Sequence, residues 1–150
     1  DDNGLPLAFR CKRQLAGTWW KSWHNLGAQM RELTDHKVNP ANDVLTVAAM
    51  DEAGSGGAHH HYRVTSEHPS FHVPTDIVFQ NGPINEAGVN GLTHEVLLAI
   101  VADRLRDFQK GPFASRYNAL ALTHIEDAQN WLNRRTLERM RRGVEGTHKA

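Results

Sequence analysis

The last third of the chain carries two helical patterns separated by a short break, and this pairing constrains the fold more than any other feature. The first pattern begins near Thr93, a residue suited to cap a helix. Its apolar stripe at helical spacing consists of Leu97, Ile100, Val101, Leu105 and Phe108. Gly111-Pro112 ends it, and a second helix is predicted from about Ala114 to Arg142. The sequence therefore predicts an αα-hairpin.

The second predicted helix is long for a domain of this size, about 43 Å at 1.5 Å per residue. Its apolar positions need a partner helix and a further surface to cover them. The chain as a whole is only 39% apolar, with a mean hydropathy of −0.56, so the core it can bury is modest. We therefore expect a homo-oligomer, in which another subunit covers the remaining apolar surface.

Ahead of the hairpin the pattern changes to short strands. The three candidates are Val44–Met50, His59–Thr65 and Thr75–Phe79, with a glycine cluster between the first two. Alternation in the second candidate places His61 and Arg63 on the same face. Two Asn-Gly pairs, at 81–82 and 90–91, favour positive φ in turns of the segment that follows. This region is predicted to form a small antiparallel sheet and a linker.

The N-terminal segment contains three of the four tryptophans within five residues. An apolar stripe at spacings of three and four predicts an amphipathic helix there. The stripe consists of Leu15, Trp19, Trp23 and Leu26. A platform that stacks a ligand is the alternative use of such an aromatic surface.

These patterns together predict an α+β fold: a small antiparallel β-sheet followed by a C-terminal helical hairpin, with a Trp-rich N-terminal helical extension. The predicted boundaries are 1–43 for the extension, 44–91 for the β region and its linker, and 92–150 for the hairpin domain.

Charge and cysteine content exclude several classes of protein. Seventeen Lys and Arg residues balance seventeen Asp and Glu residues, which excludes steering to nucleic acid by net charge but not a local basic patch. The single cysteine, Cys11, excludes an internal disulfide framework and favours a reducing cytoplasm. The longest apolar run, Val96–Ala102, is far shorter than the roughly 20 residues that span a bilayer. We expect a soluble intracellular protein with no membrane partner.

Ten histidines raise the question of a metal site. His59 and His61 point the same way on a predicted strand, and His68, His72 or His124 could complete a site. No HExxH motif accompanies them, and the serines lack a nucleophile-elbow context. We therefore predict no metal ligand, no catalytic residue and no cofactor. A metal-dependent phosphodiesterase or glycohydrolase that uses the histidines is the enzymatic alternative.

The turn of the hairpin gathers side chains suited to a phosphorylated ligand that carries a base. Free backbone N–H groups and the positive dipole end at the start of the second helix accept phosphate, and Arg116 adds a guanidinium there. Phe108 or Tyr117 can stack a purine, while Gln109 and Asn118 offer amides for a base or ribose edge. A turn fixed by ordinary packing is the alternative interpretation.

The second predicted helix ends in five arginines, from Arg134 to Arg142, that face one acid, Glu138. A helix C-terminus needs fewer cations than this to balance its dipole. Arg116, Thr123 and Arg134 share roughly one face, and Arg135, Arg139 and Arg142 form a second row. Since guanidinium groups read phosphates well, a polyphosphate or cyclic nucleotide site is predicted. An oligomeric adaptor that contacts protein or nucleic acid is the alternative.

Four segments of this chain resemble the phage Thoeris anti-defence sponges, whose helical hairpin is shared with phage anti-CBASS sponges of cyclic nucleotides. The segments are Phe79–Gly91, Asp103–Gln109, Phe113–Ala121 and Arg142–His148. The chain departs from the family pattern at Ser115–Asn118, where Cys-Arg-Glu-Asn is usual and Tyr117 replaces the acid.

The resemblance implies a protein that binds immune signalling nucleotides without cleaving them and thereby blocks bacterial Thoeris or CBASS effectors in the cytoplasm of the infected host. The implied ligands are glycocyclic ADP-ribose isomers, and cyclic di- and trinucleotides at a separate site, in a dimer or hexamer. It places Phe108 and Asn118 at the ADP-ribose isomer, and Arg135 and Arg139 at the phosphate-rich sites or at the subunit assembly that forms them. No nucleic-acid polymer is expected as a partner. The full set of predicted ligand-binding residues is Phe79, Asn90, Phe108, Gln109, Arg116, Asn118, Thr123, Arg134, Arg135 and Arg139.

Overall fold

The structure is a computed structural model, and it describes residues 30–68, 70 and 74–149. The predicted N-terminal amphipathic helix, with its stripe from Leu15 to Leu26, lies outside these described residues. Within the described ranges, no helix combines the length and apolar character that crossing a bilayer requires.

The first half of the described chain forms a four-stranded antiparallel sheet in which each strand pairs with the next along the sequence. The strands are β1 (Arg31–Leu33), β2 (Leu45–Ala49), β3 (His61–Ser66) and β4 (Thr75–Val78), and a short helix α1 (Pro40–Asp43) connects the first two. The register pairs Ala49 with Tyr62 and Tyr62 with Ile77. The predicted small antiparallel sheet is confirmed.

The sheet begins earlier than the sequence predicts. A helical extension is predicted up to residue 43, yet Arg31–Leu33 is an edge strand that pairs with Val47–Ala49 of β2. Three residues are too few to show the alternation that identifies a strand, and β1 owes its extended conformation to this pairing. The helical prediction is therefore wrong for this part of the extension.

One face of the sheet carries a charged cluster around Asp76. Its carboxylate accepts hydrogen bonds from Arg63 at 2.7 and 3.1 Å and from His61 Nε2 at 3.0 Å. The Arg63 hydrogen bond, and then the one from His61, lowers the pKa of Asp76 to about 2. The prediction that His61 and Arg63 share a face is confirmed.

A second carboxylate orders the chain just before β3. Asp51 accepts hydrogen bonds from the backbone N–H groups of His60 and His61 at 2.8 and 3.1 Å. Burial alone raises the pKa of Asp51, but these backbone hydrogen bonds outweigh that effect and lower the pKa. Asp51 therefore fixes the backbone of the three consecutive histidines at the start of β3.

The second half of the described chain is the predicted αα-hairpin, made of α3 (His94–Lys110) and α4 (Arg116–Arg141). A one-turn helix, α2 (Ile84–Ala87), precedes it in the linker. The two long helices pack on each other around Ala102, which is fully buried, and Arg106 bridges to Glu126 at 2.7 Å. Thr93 occupies the predicted N-cap of α3 but makes no side-chain cap hydrogen bond.

The sheet and the hairpin are joined where Phe79 meets Leu92. These residues form an isolated parallel bridge, with Gln80 N donating to Leu92 O and Leu92 N donating to Val78 O, both at 2.8 Å. The ring of Phe79 lies edge-on to Tyr62 of β3 at 5.7 Å and against His94 of α3 at 5.3 Å. A single aromatic side chain thus contacts both halves of the fold.

Gly91 makes this joint possible, for a reason that differs from the predicted one. Gly82 has the expected positive φ, 86°, but Gly91 does not adopt positive φ, so that prediction is wrong for the second Asn-Gly pair. A Cβ on Gly91 would instead lie 2.4 Å from the carbonyl carbon of Phe79. Glycine is needed here because two backbone segments approach closely.

Replacing Gly91 with alanine is expected to lower the free energy of unfolding by about 1–3 kcal/mol, since the bridged backbones must move apart to admit the methyl group. Chemical denaturation measures the change. Gly111→Ala is the matched control, because a Cβ there meets nothing nearer than 3.6 Å. Its effect is expected to stay within about 0.5 kcal/mol. Equal losses of unfolding free energy in both variants would contradict a close approach of the Gly91 and Phe79 backbones.

Candidate ligand site

The predicted ligand-binding residues do not form a single site. Phe108, Gln109, Arg116 and Asn118 lie at the turn of the hairpin, whereas Arg134, Arg135 and Arg139 lie near the other end of α4. At 1.5 Å per residue, Asn118 and Arg135 are about 26 Å apart along the helix. We name the turn, residues 108–118, the loop region.

In the loop region, polar side chains hold the backbone of the turn. Gln109 Oε1 accepts from the Ser115 N–H at 2.9 Å, and Ser115 Oγ accepts from the Asn118 N–H at 3.1 Å. Asn118 Nδ2 donates to the Phe113 carbonyl at 3.4 Å, a long bond that a stronger acceptor could replace. The turn is therefore preorganised, with Asn118 weakly engaged at its edge.

Two residues that the sequence analysis did not select surround Phe108. Phe113 lies edge-to-face with its ring at 6.3 Å, and the guanidinium of Arg104 lies over the ring at 4.9 Å. Phe108 is half-buried, while Phe113 is 70% exposed. An aromatic pair with an arginine over one ring is a surface on which a base can stack.

The other two predicted residues near this end differ in availability. Arg116, in the first turn of α4, is exposed and has no hydrogen-bond or ion-pair partner within the described part of the chain. Thr123 donates its hydroxyl to the Ala119 carbonyl at 3.1 Å, so its proton is already used within the helix. Arg116 therefore offers a free charge, and Thr123 offers an acceptor.

A concavity lies at the other end of the hairpin, and we name it the cleft. Its volume is about 730 Å³, which is within the range of small-molecule sites. The linker, the start of α3, the end of α4 and the C-terminal residues all contribute to its lining. The ionisable and hydroxyl side chains that line it belong to Ser55, His60, Thr93, His94, Glu95, Arg135, Thr136, Arg139, Glu145, Thr147 and His148.

The arginines at this end are not equivalent. Arg135 lines the cleft and has no hydrogen-bond or ion-pair partner among the residues described. Arg139 is paired with Glu145 at 2.9 Å, and Arg134 lies 3.7 Å from Glu138 with its guanidinium over Trp131 at 5.6 Å. The expectation that these arginines face Glu138 alone is therefore wrong, because Glu145 from the C-terminal residues folds back onto Arg139.

His60 is a cleft residue that sequence reasoning missed. Its side chain lines the cleft, yet the residue is 8% exposed, and its Nδ1 atom has no hydrogen-bond partner in the structure. The nearest carboxylate oxygen, on Asp51, is 4.0 Å away. Strand alternation puts His60 on the opposite face from His61, but it does not indicate that His60 is the buried one. A Cβ on Gly54 would lie 3.1 Å from His60 Nδ1, a close approach that the sequence does not reveal.

The two linker residues predicted to contact ligand, Phe79 and Asn90, both make contacts within the chain. Phe79 is the aromatic joint between sheet and hairpin. Asn90 accepts from the Asn81 N–H and donates Nδ2 to the Asn81 carbonyl, both at 2.8 Å. These bonds use the Asn90 amide to fix the linker, which forms part of the cleft wall.

The histidines singled out for a metal site are dispersed over separate partners. His59 Nδ1 donates to the Asp51 carbonyl at 2.6 Å, and His61 is bound to Asp76. Across residues 30–68, 70 and 74–149, no three His, Cys, Asp or Glu side chains gather as a metal site would require. His72 lies outside those ranges.

The chain shares its hairpin with known proteins. A family model described as the Acb2/Tad1 hairpin domain matches residues 72–137. Over 70 residues the chain is 54% identical to Thoeris anti-defense 1 of Bacillus phage SBSphiJ7, which covers 47% of this chain and 49% of that protein. The chain thus spans about half the length of the curated relative it matches.

The family match covers the linker, α3 and most of α4, which form the loop region and part of the cleft. Residues 72–137 are similar to the Acb2/Tad1 hairpin domain, and together with the similarity to a Thoeris anti-defence protein this confirms the resemblance to the phage Thoeris anti-defence family predicted from the sequence.

Proposed function

We propose that this protein is a phage anti-defence protein that binds immune signalling nucleotides and sequesters them without cleavage. Sequestration lowers the free signal and so blocks activation of bacterial Thoeris and CBASS effectors. The observation that carries the proposal is the 54% identity to a Thoeris anti-defence protein across the hairpin. The protein would act where the signal accumulates, in the cytoplasm of the infected host.

The loop region is suited to a glycocyclic ADP-ribose isomer. The start of the 26-residue helix α4 presents free N–H groups and the positive end of its dipole, and Arg116 is free to pair with the diphosphate. Phe108, with Arg104 over its ring, offers a stacking surface for the adenine. Asn118 can exchange its long hydrogen bond to Phe113 for one to the ligand.

The cleft is suited to a larger anion, and we assign it to cyclic oligonucleotides. The free guanidinium of Arg135 supplies a charged phosphate contact, and the imidazoles of His60 and His94 add polar contacts nearby. Glu95 also lines the cleft and could accept from a base amino group, which a simple inorganic phosphate lacks. The combination favours a ligand that carries both phosphates and bases.

Binding alone is sufficient for this function. A nanomolar dissociation constant corresponds to about −12 kcal/mol, which several charge-assisted hydrogen bonds and a stacked purine can supply. Preorganisation also favours tight binding, because the loop region spends little entropy on ordering when ligand arrives. Turnover is not needed when enough protein is made.

A homo-oligomer, a dimer or hexamer, is part of the same proposal. The hairpin exposes large apolar side chains along both helices, including Ile100 (61%), Tyr117 (84%), Trp131 (68%) and Met140 (59%). The apolar residues that are fully or almost fully buried within the described chain are three alanines, so a single copy leaves many large apolar side chains exposed to solvent. A second copy of the chain is the natural cover for it.

Light scattering at micromolar concentration is expected to give a mass that is a multiple of the 16.8 kDa chain. The exposed apolar area provides the driving force for this association. A mass of one chain at that concentration would contradict the oligomer.

Because the two ends of the hairpin are far apart, substitutions at each end are expected to affect the binding of a different ligand in calorimetric titrations. Phe108→Ala and Asn118→Ala are expected to weaken the binding of a glycocyclic ADP-ribose isomer by about 1–3 kcal/mol, because stacking is lost or a polar edge is left unpaired. Arg135→Ala is expected to weaken cyclic triadenylate by about 1.5–3 kcal/mol through a lost charge-assisted contact. Each variant should leave the other ligand bound as in the parent.

Asn130→Ala and Arg141→Ala are the matched controls, since both residues are exposed on α4 outside the two regions. They are expected to change neither affinity. Equal losses for both ligands in every variant would indicate a single shared site and contradict the assignment. Binding that depends on ionic strength and ignores ligand identity would indicate the adaptor function instead.

A further inference from the structure

The residues after α4 fold back across the linker and form what we name the C-terminal strap, residues 143–149. Gly143 reverses the chain with a φ of 65°. Asn85 of α2 then donates its N–H to the Gly146 carbonyl at 3.1 Å and its Nδ2 to the Glu145 carbonyl at 3.3 Å. His148 pairs with Glu86 at 2.9 Å, so the strap is docked onto α2.

Arg139 fixes the strap from the opposite side. Its Nε donates to Glu145 at 2.9 Å, and its two terminal nitrogens donate to the carbonyls of Val144, Thr147 and Lys149, each at 3.0 Å. All three guanidinium nitrogens are engaged within the chain. Arg139 therefore has no free pair of donors with which to grip a phosphate.

The strap also forms one wall of the cleft. Glu145, Gly146, Thr147 and His148 line it, together with Arg135 from α4. Arg135 and Arg139 lie one helical turn apart on the same face of α4, and both line the cleft. The guanidinium of Arg139 is bound by the strap, whereas that of Arg135 has no partner among the described residues.

We propose that the C-terminal strap is a binding element of the cleft and that Arg139 is a positioning residue for it, whereas Arg135 supplies the phosphate contact. This rests on the proposed binding of cyclic oligonucleotides in the cleft. A seven-residue segment with two glycines loses much conformational entropy when it becomes ordered. Because Arg139 orders the strap before ligand binds, that loss does not reduce the affinity for the ligand.

Gly146 provides a way to displace the strap without touching a charged group. A Cβ there would lie 3.0 Å from the Asn85 side chain, and its φ is 74°. Gly57→Ala is the matched control, since Gly57 has a φ of 75°, an added Cβ there meets nothing within 4 Å, and the residue does not line the cleft. Both variants place a side chain at a similar positive φ, but only Gly146→Ala also pushes on the dock between strap and α2.

The first test titrates cyclic triadenylate and a glycocyclic ADP-ribose isomer into the unsubstituted chain and these two variants. Gly146→Ala is expected to lower the affinity for cyclic triadenylate about tenfold or more, which is the loss typical when a supporting contact of a binding site is removed. It should leave the ADP-ribose isomer unchanged, which also reports that the hairpin is folded. Gly57→Ala should change neither.

The second test separates positioning from phosphate contact. Arg139→Ala is made with Glu145→Gln, so that no lone carboxylate is left beside the cleft, and is combined with Gly146→Ala. If Arg139 acts through the strap, the combined variant should bind about as weakly as either parent variant. The salt dependence of affinity should persist in these variants and flatten in Arg135→Ala, since screening acts on the charged contact.

Additive losses, or a flattened salt dependence in the Arg139 variant, would show a direct phosphate contact and overturn the inference. Tight cyclic triadenylate binding by Gly146→Ala would overturn the role of the strap while leaving the proposed function intact. Failure of the unsubstituted chain to bind either nucleotide would contradict the proposed function, and the inference with it.

Discussion

The unequal lengths of the two hairpin helices determine much of this structure. Helix α3 has 17 residues and its antiparallel partner α4 has 26, so the last turns of α4 extend beyond the start of α3. Those turns carry the arginines, whose backbone and side chains need other partners. The linker and the C-terminal strap provide them, and the space that is left between these elements is the cleft.

The same geometry separates two kinds of site chemistry. At the turn, short polar side chains spend their hydrogen bonds on the backbone and leave an aromatic surface beside a helix N-terminus. At the far end, one guanidinium is consumed by the strap and another, on Arg135, is free within the described chain. Under the proposed function, a ligand with one diphosphate and a ligand with several phosphates would bind about 26 Å apart on one helix.

The elements with long, regular patterns could be predicted from the sequence. The stripe from Leu97 to Phe108 identified α3, and the alternating residues of β3 placed His61 and Arg63 on one face. Strand β1 could not be predicted, because its conformation comes from pairing with β2 rather than from its own three residues. Gly91 shows the same limit, since its role depends on a backbone that lies twelve residues earlier in the chain.

For the candidate site, residue type identified the chemistry but not the availability of each group. Arg135 and Arg139 are alike in sequence, and only the returning strap distinguishes the free guanidinium from the saturated one. His60 was missed for the converse reason, because burial of its unpartnered Nδ1 arises from packing against distant residues. Whether a side chain is free to bind a ligand depends on its tertiary contacts, which local sequence patterns do not encode.

The central claim is that the protein captures a signalling nucleotide and keeps it intact. The most direct measurement loads the protein with a glycocyclic ADP-ribose isomer, removes unbound ligand, denatures the protein by heat and analyses the released material by mass spectrometry. We expect the unchanged nucleotide to be recovered in a fixed molar ratio to the protein chain. Recovery of ADP-ribose or other fragments would contradict sequestration and identify the protein as an enzyme.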